Sequence, residues 1–399
     1  MCTAINYNEI YTQLQALNLA IYTPSDFILP SRIGRYIDLE KTGKESGLSM
    51  QGREKGIRQL MAINMLKRLE SSVNSFRLTI QRIQELIQNT ISRIENFAQG
   101  RYEYTSLETE DYYPSMVAEE EEFYGSSFIG GKKTKIDLAD MDYASWRQYL
   151  IQDKETLNFL LTMLQDITPL HDSKLQQLIA DLDYKFTHPI NGEKVLIFTA
   201  FSDTAEYLYS ELADRIHNEY GLNVAMITGS VDGMSTIKKL KTDFNTILTL
   251  FSPLSKERNI LFPKSETEID VLIATDCISE GQNLQDCDYL INYDIHWNPV
   301  RIIQRFGRID RIGSKNEVIQ LVNYWPDVEL DDYIKLKGRV EARMKVTVMT
   351  ATGDDNLLSD EEKGDLEYRK EQLKRLQEEV VDIEDMDTGI NIMDLGLNE

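Results

Sequence analysis

The chain contains 399 residues, 42% of them hydrophobic, and carries a formal net charge of −23 at pH 7, which allows a sizeable core in roughly two or three domains. No apolar run approaches the roughly 18 residues of a membrane span and the amino terminus lacks a signal-peptide pattern, so a membrane or secreted protein is disfavoured and a cytoplasmic one is expected. The three cysteines form no CxxC pair and the four histidines have no metal-ligand spacing, so neither a disulfide framework nor a metal site is predicted.

The first predicted element is a long amphipathic helix. Its apolar residues are spaced by alternating steps of three and four, which predicts a heptad seam on one helix. The seam residues are Leu66, Leu69, Val73, Phe76, Ile80, Ile83, Ile87, Ile91 and Ile94. A second helical pattern, from Trp146 to Ile167, is expected to pack antiparallel against it. Residues 1–170 are therefore predicted to form a region built on a long, coiled-coil-like helical hairpin.

Acidic residues are concentrated in two segments. Residues 102–122 carry 8 acidic and no basic residues, and residues 354–399 carry 16 acidic and 5 basic ones. The first segment belongs to a polar, Gly-containing insertion at about 100–140, which is predicted to be a loop or partly disordered. Because the rest of the chain is nearly neutral, the overall charge does not exclude local phosphate binding. An alternative is that the acidic segments mimic nucleic acid and inhibit its binding.

The middle of the chain alternates strand and helix patterns. Strands are predicted around 194–199, 223–228, 270–275, 288–293 and 317–323, and helices near 203–219, 235–250 and 299–307. This alternation predicts an α/β domain at 171–330 with a mainly parallel sheet flanked by helices. The segment 251–268 interrupts the alternation and offers three basic residues as candidate DNA contacts: Lys256, Arg258 and Lys264. After Trp325 the chain is expected to be helical and charged, with an acidic tail at 331–399.

Four arginines follow the fourth predicted strand, within about three helical turns. They are Arg301, Arg305, Arg308 and Arg311 in the sequence RIIQRFGRIDRIG. A guanidinium has a permanent charge and a fork of donors that matches a phosphate bidentately, which indicates a phosphate site. The alternative is an amphipathic helix whose Ile302, Ile303 and Phe306 face a core while the arginines are solvated. Ligands of open α/β sheets bind at the carboxyl ends of the strands, which favours the phosphate site.

Four sequence motifs occur in a fixed order between about Lys194 and Trp325. They read KVLIFTAFSDTAEYL at 194–208, ITGS at 227–230, IATDCISEGQNLQ at 273–285 and QRFGRIDRIG at 304–313. This series resembles motifs IV to VI of the second RecA-like lobe of superfamily-2 helicases and translocases. Within that group it is most similar to the Swi/Snf-type ATPases. The wording of the last two motifs is particularly similar to that of the bacterial RNA-polymerase-recycling branch of these ATPases.

The resemblance implies roles for individual residues. Arg308 and Arg311 occupy arginine-finger positions, which in such enzymes reach the γ-phosphate of ATP. Four residues are expected near the nucleotide: Glu280, Gly281, Asn283 and Gln304. Gln304 is also expected to couple the nucleotide to the DNA site, and the DEAD-box branch often has aspartate at the position of Asn283. Six residues are expected at nucleic-acid phosphates: Thr199, Thr228, Gly229, Ser230, Thr275 and Ser279. For any single Ser or Thr, an ordinary turn or cap is the alternative.

The first helical pattern also has a counterpart in the family. The run QLMAINMLKRLESSVNSF at 59–76 resembles the helix that links the two lobes of Swi/Snf-type proteins. Six basic residues in this region are candidates for phosphate contacts: Arg53, Arg58, Lys67, Arg68, Arg77 and Arg82. The alternative is a hairpin that only packs and braces the lobe.

Two motifs of a complete ATPase are not found in these 399 residues. Neither a GxxxxGK[ST] phosphate loop nor a DExx box for Mg²⁺ occurs, since GSSFIGGKKT at 125–134 has offset lysines and DEEK at 360–363 lies in a polar tail. ATP with Mg²⁺ is therefore expected to be held mainly by a first RecA-like lobe, supplied by a longer parent chain or by a separate subunit. The chain by itself is expected to be inactive.

The sequence thus predicts the C-terminal half of an ATP-dependent DNA translocase of the Swi/Snf type. Duplex DNA, contacted through its backbone, is the expected partner, with RNA polymerase or another DNA-bound complex as a further candidate. The alternative is a non-catalytic module that binds nucleic acid or protein. A Rossmann-like enzyme is disfavoured because no GxGxxG turn is present.

Overall fold

The computed structural model describes residues 7–36, 50–100, 106–108, 135–263, 266–278, 282–295, 305–310, 314–316 and 318–325. It divides into two compact units, Met1–Gln177 and Leu178–Glu399, and each is described by itself. The division lies close to the predicted boundary at 170/171. The predicted tail at 331–399 lies outside the described residues.

The first unit is mainly helical, as predicted. Its helices are α1 (Tyr7–Ala16), α2 (Met50–Ser71), α3 (Val73–Ala98) and α4 (Tyr143–Leu164). Strands β1 (Ser106–Glu108) and β2 (Lys135–Asp137) pair antiparallel within the predicted acidic insertion, of which residues 109–134 lie outside the described part. Seven of the nine seam residues between Leu66 and Ile94 are buried in one core cluster, and Leu66 and Val73 are half-buried against it.

The prediction of one long helix is wrong at Ser72. This residue has extended backbone angles, φ −158° and ψ 146°, and its side chain accepts a hydrogen bond from the amide of Ser75. Ser72 is therefore the N-cap of α3, and α2 ends at Ser71. Serine is a strongly preferred N-cap because its hydroxyl satisfies an amide at the start of a helix.

Helices α3 and α4 pack antiparallel, as predicted. Along α3, Arg77 donates to the carbonyl of Leu164, Gln84 bonds to Asn158, and Glu95 pairs with Arg147, so rising numbers meet falling ones. Arg77 is thereby engaged in the hairpin.

Lys67 and Arg68 do not lie on an exposed side of the first helical stretch. Lys67 is 4% exposed, and Arg68 is fully buried and donates to Asn64 and Ser75. The prediction of phosphate contacts on an exposed side is therefore wrong for these two residues, because the pattern did not identify which face of α2 is buried. Arg82 is exposed.

The second unit contains a six-stranded sheet flanked by helices. Its strands are β3 (Val195–Phe198), β4 (Val224–Ile227), β5 (Met234–Ser235), β6 (Val271–Ala274), β7 (Tyr289–Asn292) and β8 (Gln320–Asn323). The order across the sheet is β5-β4-β6-β3-β7-β8, and only β5 runs antiparallel to its neighbour. This confirms the predicted RecA-like parallel sheet. Every residue of β3, β4, β6 and β7 is buried, as in sheets covered on both faces.

The helices of the second unit are α5 (Ser173–Thr187), most of which belongs to this unit, α6 (Ser202–Tyr220), α7 (Phe244–Phe251) and α8 (Arg258–Leu261). The prediction of a helix at 235–250 is wrong in its first half. The hydroxyl of Thr236 instead accepts a hydrogen bond from the amide of Val224, beside the edge strand β5. Helix α7 begins only after Asp243, whose carboxylate caps it. Of the predicted helix at 299–307, only residues 305–307 are described; residues 305 and 306 are helical and residue 307 lies in a turn.

Within the described residues, no helix combines the length and apolar character needed to cross a membrane.

Candidate nucleotide and nucleic-acid site

The carboxyl ends of four adjacent strands meet at one edge of the sheet. The register pairs Ile227 with Ala274, Ala274 with Phe198, and Phe198 with Asn292. The residues that follow these strand ends therefore line a common edge. They include three of the predicted phosphate contacts: Thr199, Thr228 and Thr275.

Thr199 is fully buried at this edge. Its hydroxyl donates to Oδ2 of Asp294 at 2.5 Å, and the amide of Ala200 donates to the same oxygen at 3.0 Å. A hydroxyl contact from Thr199 to a phosphate would require the bond to Asp294 to open. That contact stays a prediction.

The ITGS turn is closed by its own side chains. The hydroxyl of Thr228 accepts a hydrogen bond from the amide of Val231 at 3.0 Å, and that of Ser230 donates to Ser202 at the start of α6 at 2.7 Å. Gly229 faces Cys277, since a β-carbon built on this glycine would lie 3.6 Å from that of Cys277. The ITGS turn and the segment after β6 are therefore neighbours.

The segment after β6 is held to the end of β4. The amide of Thr275 donates to the carbonyl of Ile227 at 3.2 Å, and the Thr275 side chain is largely buried. Five predicted phosphate contacts thus lie at or beside one edge, while Ser279 lies outside the described residues. Their contact with nucleic acid stays a prediction.

Arg305 makes several hydrogen bonds at this edge. Although the residue is fully buried, Nε and Nη2 donate to the two carboxylate oxygens of Asp276, each at 2.7 Å. Nη1 donates to Oδ1 of Asn292 at 2.9 Å and to the carbonyl of Asp294 at 3.1 Å. The guanidinium carbon also lies 4.9 Å from the centre of the Phe198 ring. A buried charge is tolerated only when it is paired and hydrogen-bonded in this way.

The partners of Arg305 were not predicted from the sequence. Three polar residues, Asp276, Asn292 and Asp294, stand at or just after the ends of buried strands. A polar residue beside such an apolar run indicates a fixed structural role. Asn292 also donates to Asn323 at 2.8 Å, which joins β7 to β8. For Arg301 and Arg305 the sequence left a structural or a DNA-side role open. The internal guanidinium of Arg305 favours the structural role, and Arg301 lies outside the described residues.

Arg308 lies one helical turn after Arg305 and is half-buried. Its amide donates to the carbonyl of Arg305 at 3.1 Å, and its own carbonyl accepts from the amide of Leu284 at 3.0 Å. The next residue, Ile309, is fully buried in the core of the second unit. This arrangement places Arg308 beside the end of IATDCISEGQNLQ at 273–285, which corresponds to motif V.

Asn283 lies in the same part of motif V. Its Oδ1 is buried and has no hydrogen-bond partner within the described part of the chain. The other predicted nucleotide contacts, Gln304, Glu280, Gly281 and the second finger, Arg311, lie outside the described residues.

The candidate DNA contacts at 251–268 are engaged with the protein. Arg258 pairs with Glu268 at 2.9 Å, and Lys256 donates to Oε1 of Gln282 at 2.5 Å. Asp286 accepts from the amides of Leu254 and Ser255 at 2.6 and 3.1 Å. This segment is thus anchored to residues 282–286, at the end of motif V. Lys264 lies outside the described residues.

The Cys287 thiol does not suggest redox chemistry. Burial raises the pKa of the Cys287 thiol to about 12, which keeps it protonated and unreactive. Among the residues that the structure describes, no group of three or more His, Cys, Asp or Glu side chains could hold a metal ion.

Comparison with known proteins shows that this region is similar to helicases. Residues 173–313 match the family model of the helicase conserved C-terminal domain. An uncharacterized ATP-dependent helicase, YqhH of Bacillus subtilis, is 32% identical over 42% of this chain and 24% of its own length. The mitochondrial ATP-dependent RNA helicase MRH4 of Kluyveromyces lactis is 27% identical over 38% of this chain and 30% of its own.

A third relative is the RNA polymerase-associated protein RapA of Vibrio cholerae, 28% identical over 38% of this chain and 13% of its own length. The matches therefore span less than a third of each of these relatives. The match of residues 173–313 to a helicase C-terminal domain confirms the resemblance found in the four motifs.

Proposed function

We propose that this chain supplies the second RecA-like lobe of an ATP-dependent DNA translocase of the Swi/Snf type, with Arg308 and Arg311 as its arginine fingers. One observation carries the proposal. The turn that bears Arg308 is bonded on one side to the motif V turn, through the amide of Leu284. On the other side, Arg305 bonds it to the strand edge where Thr199 and Thr275 lie. A finger and a phosphate-binding edge are thus parts of one bonded unit.

The fingers act on charge that develops during phosphoryl transfer. As the bond to the γ-phosphoryl group of ATP breaks, negative charge spreads over its oxygens, and a guanidinium placed there stabilises the transition state. Arginine fingers in general contribute roughly 10³ to 10⁵ in rate. The phosphate loop and Mg²⁺ ligands belong to a first lobe, which binds the rest of the nucleotide.

The nucleic acid is contacted through its backbone. Hydroxyl and amide donors at a strand edge recognise phosphate oxygens, and such contacts carry no sequence information. Movement along any duplex is therefore compatible with this site. The name of the RapA relative supports a DNA-bound RNA polymerase as the larger substrate, whereas that of MRH4 supports RNA.

The test is ATP hydrolysis by a protein that carries both lobes. We expect DNA-stimulated ATPase activity that Arg308→Ala and Arg311→Ala each reduce by at least about tenfold, the lower range of finger contributions. Lys238→Ala, an exposed lysine on the same unit, is the matched control and leaves the rate unchanged. Full activity in both arginine variants ends the finger assignment. Duplex DNA binding without any ATP hydrolysis in the two-lobed protein instead supports the non-catalytic module.

A further inference from the structure

Arg305 has a geometry that charge compensation alone does not require. A single carboxylate neutralises a guanidinium, yet this one makes four hydrogen bonds to groups on three different segments. Asp276 follows β6, Asn292 ends β7, and Asp294 lies in the loop after β7. The ring of Phe198, at the end of β3, adds a contact to a fourth segment.

Two features fix the position of the following turn. The turn begins at Arg305, whose side chain is anchored at the strand ends. The other side of the turn is anchored in the core by the buried Ile309. Between these anchors, both backbone groups of Arg308 are hydrogen-bonded, one to Arg305 and one to Leu284. The backbone of Arg308 is therefore held between Arg305, whose guanidinium is docked at the strand ends, and Leu284.

We propose that Arg305, through its bidentate pair with Asp276, is a positioning residue that sets the orientation of the finger Arg308. This inference rests on the proposed function. A finger contributes to the transition state only when its donors reach the phosphoryl oxygens, and a misplacement of about 1 Å costs roughly a hundredfold in rate. Lysine cannot replace Arg305 in this role, because its compact ammonium lacks the planar fork that bonds Asp276 and Asn292 together.

The chain offers a matched control for a purely structural role. Lys185 and Asp288 form another ion pair with a buried cation in the same unit, with Nζ 2.7 Å from Oδ2 and side chains 1% and 2% exposed. The side chains of Arg305 and Asp276 are 0% and 15% exposed. Asp288 lies immediately before β7, at its amino end, whereas Asp276 lies at the carboxyl edge. Asp288→Asn and Asp276→Asn therefore each weaken an ion pair with a fully buried cation, at opposite ends of the sheet.

The experiment measures kcat, KM for ATP and the melting temperature of the two-lobed protein for Asp276→Asn, Arg305→Lys and Asp288→Asn. We expect the first two to lower kcat at least about tenfold with KM within about twofold, because a finger acts in the transition state. Asp288→Asn should lower the melting temperature and leave kcat within about twofold. If Arg305→Lys does not fold, the kcat of Asp276→Asn alone tests the inference.

Two results overturn the inference: unchanged kcat in Asp276→Asn, or an equal loss of kcat in Asp288→Asn. Arg308→Ala shows whether only the positioning role of Arg305 is wrong or whether the proposed function is wrong as well. If Arg308→Ala abolishes activity and Asp276→Asn does not lower it, only the positioning role is wrong. If Arg308→Ala is fully active, the proposed function fails together with the inference.

Discussion

At the scale of single residues, Gly233 shows how a backbone approach can require glycine without an unusual φ angle. It lies in the turn between β4 and β5, where a β-carbon would be 2.9 Å from Cδ1 of Ile247 and closer still to the carbonyl oxygen of Thr242. The backbone oxygen cannot move aside as a flexible side chain could. Because glycine has no β-carbon, this position allows the 236–243 segment to pack closely against the edge of the sheet.

Gly233→Ala should destabilise the protein by about 1–3 kcal/mol, the usual cost of overpacking a fixed site. Gly192→Ala is the control, because nothing lies within 4 Å of a β-carbon built there, and it should change stability by less than about 0.5 kcal/mol. Urea unfolding of both variants measures the difference. Equal stabilities of the two variants would show that the turn can relax.

The candidate site could be predicted only in part at this scale. The motif wording identified Arg308 and the threonines at the strand ends, because those residues stand at fixed positions in short segments. The partners of Arg305 could not be identified in the same way. Asp276 and Asn292 meet the same guanidinium because β3 lies between β6 and β7, and linear spacing does not reveal that order.

At the scale of elements, the seam of α4 contains one charged residue. The steps of three and four from Trp146 through Leu150 and Leu157 place Asp153 at a seam position, and it is almost fully buried. Its two carboxylate oxygens accept the amides of Asn18 and Ala20 at 2.7 and 2.8 Å. A residue of the α4 seam thereby holds the loop that contains Asn18 and Ala20, and helical periodicity does not predict this contact.

Asp153→Leu should therefore destabilise the protein, although leucine fits the heptad pattern. It removes the acceptor of two amides, and each buried donor left without a partner costs about 1–3 kcal/mol. Glu155→Leu, an exposed position on the same helix, is the control and should be within about 0.5 kcal/mol of the parent. Thermal unfolding of the two variants tests this, and a stabilised Asp153→Leu would contradict it.

Helix α7 depends on a cap that was not predicted. Asp243 accepts the amide of Thr246 at 3.2 Å and its hydroxyl at 2.7 Å. The Thr246 hydroxyl lowers the pKa of Asp243 below its ordinary value, against the opposite effect of burial. A carboxylate with a lowered pKa stabilises the fold above the unfolded pKa of about 3.9, and this contribution is lost as the pH falls through the folded pKa.

Asp243→Ala should cost about 0.5–2 kcal/mol at neutral pH, the usual value of an N-cap. The difference from the parent should narrow as the pH falls below about 4. Asp243→Asn keeps an acceptor and is the control, with little change at neutral pH. Urea unfolding at several pH values provides the measurement. A deficit in Asp243→Ala that grows with acidity would rule out this role.

Most strands could be predicted because buried parallel strands are short apolar runs bounded by polar residues. The helix boundaries were harder, since Ser72 and Asp243 decide them through single side-chain bonds. A periodic pattern continues across Ser72 without interruption, and only the extended backbone at that residue separates α2 from α3.

At the scale of the whole molecule, charge is unevenly distributed. Residues 354–399 and 102–122 hold most of the net charge of −23, whereas the candidate phosphate edge carries neutral hydroxyls and internally paired charges. Nucleic-acid affinity depends on local charge and on the release of counterions from phosphates. An acidic segment attached to the same chain repels the duplex, and this repulsion is screened by salt.

Deleting residues 354–399 should therefore raise the affinity for duplex DNA, and more at about 50 mM than at about 200 mM salt. Fluorescence anisotropy with a labelled duplex measures the affinity. A full-length variant in which the 16 acidic residues of this segment are replaced by Asn or Gln separates charge from bulk, because it keeps the length of the segment. Equal gains in both proteins support electrostatic inhibition, and a gain only in the deletion supports steric blocking. An unchanged, salt-dependent affinity in both would show that the acidic segment does not act on the DNA site.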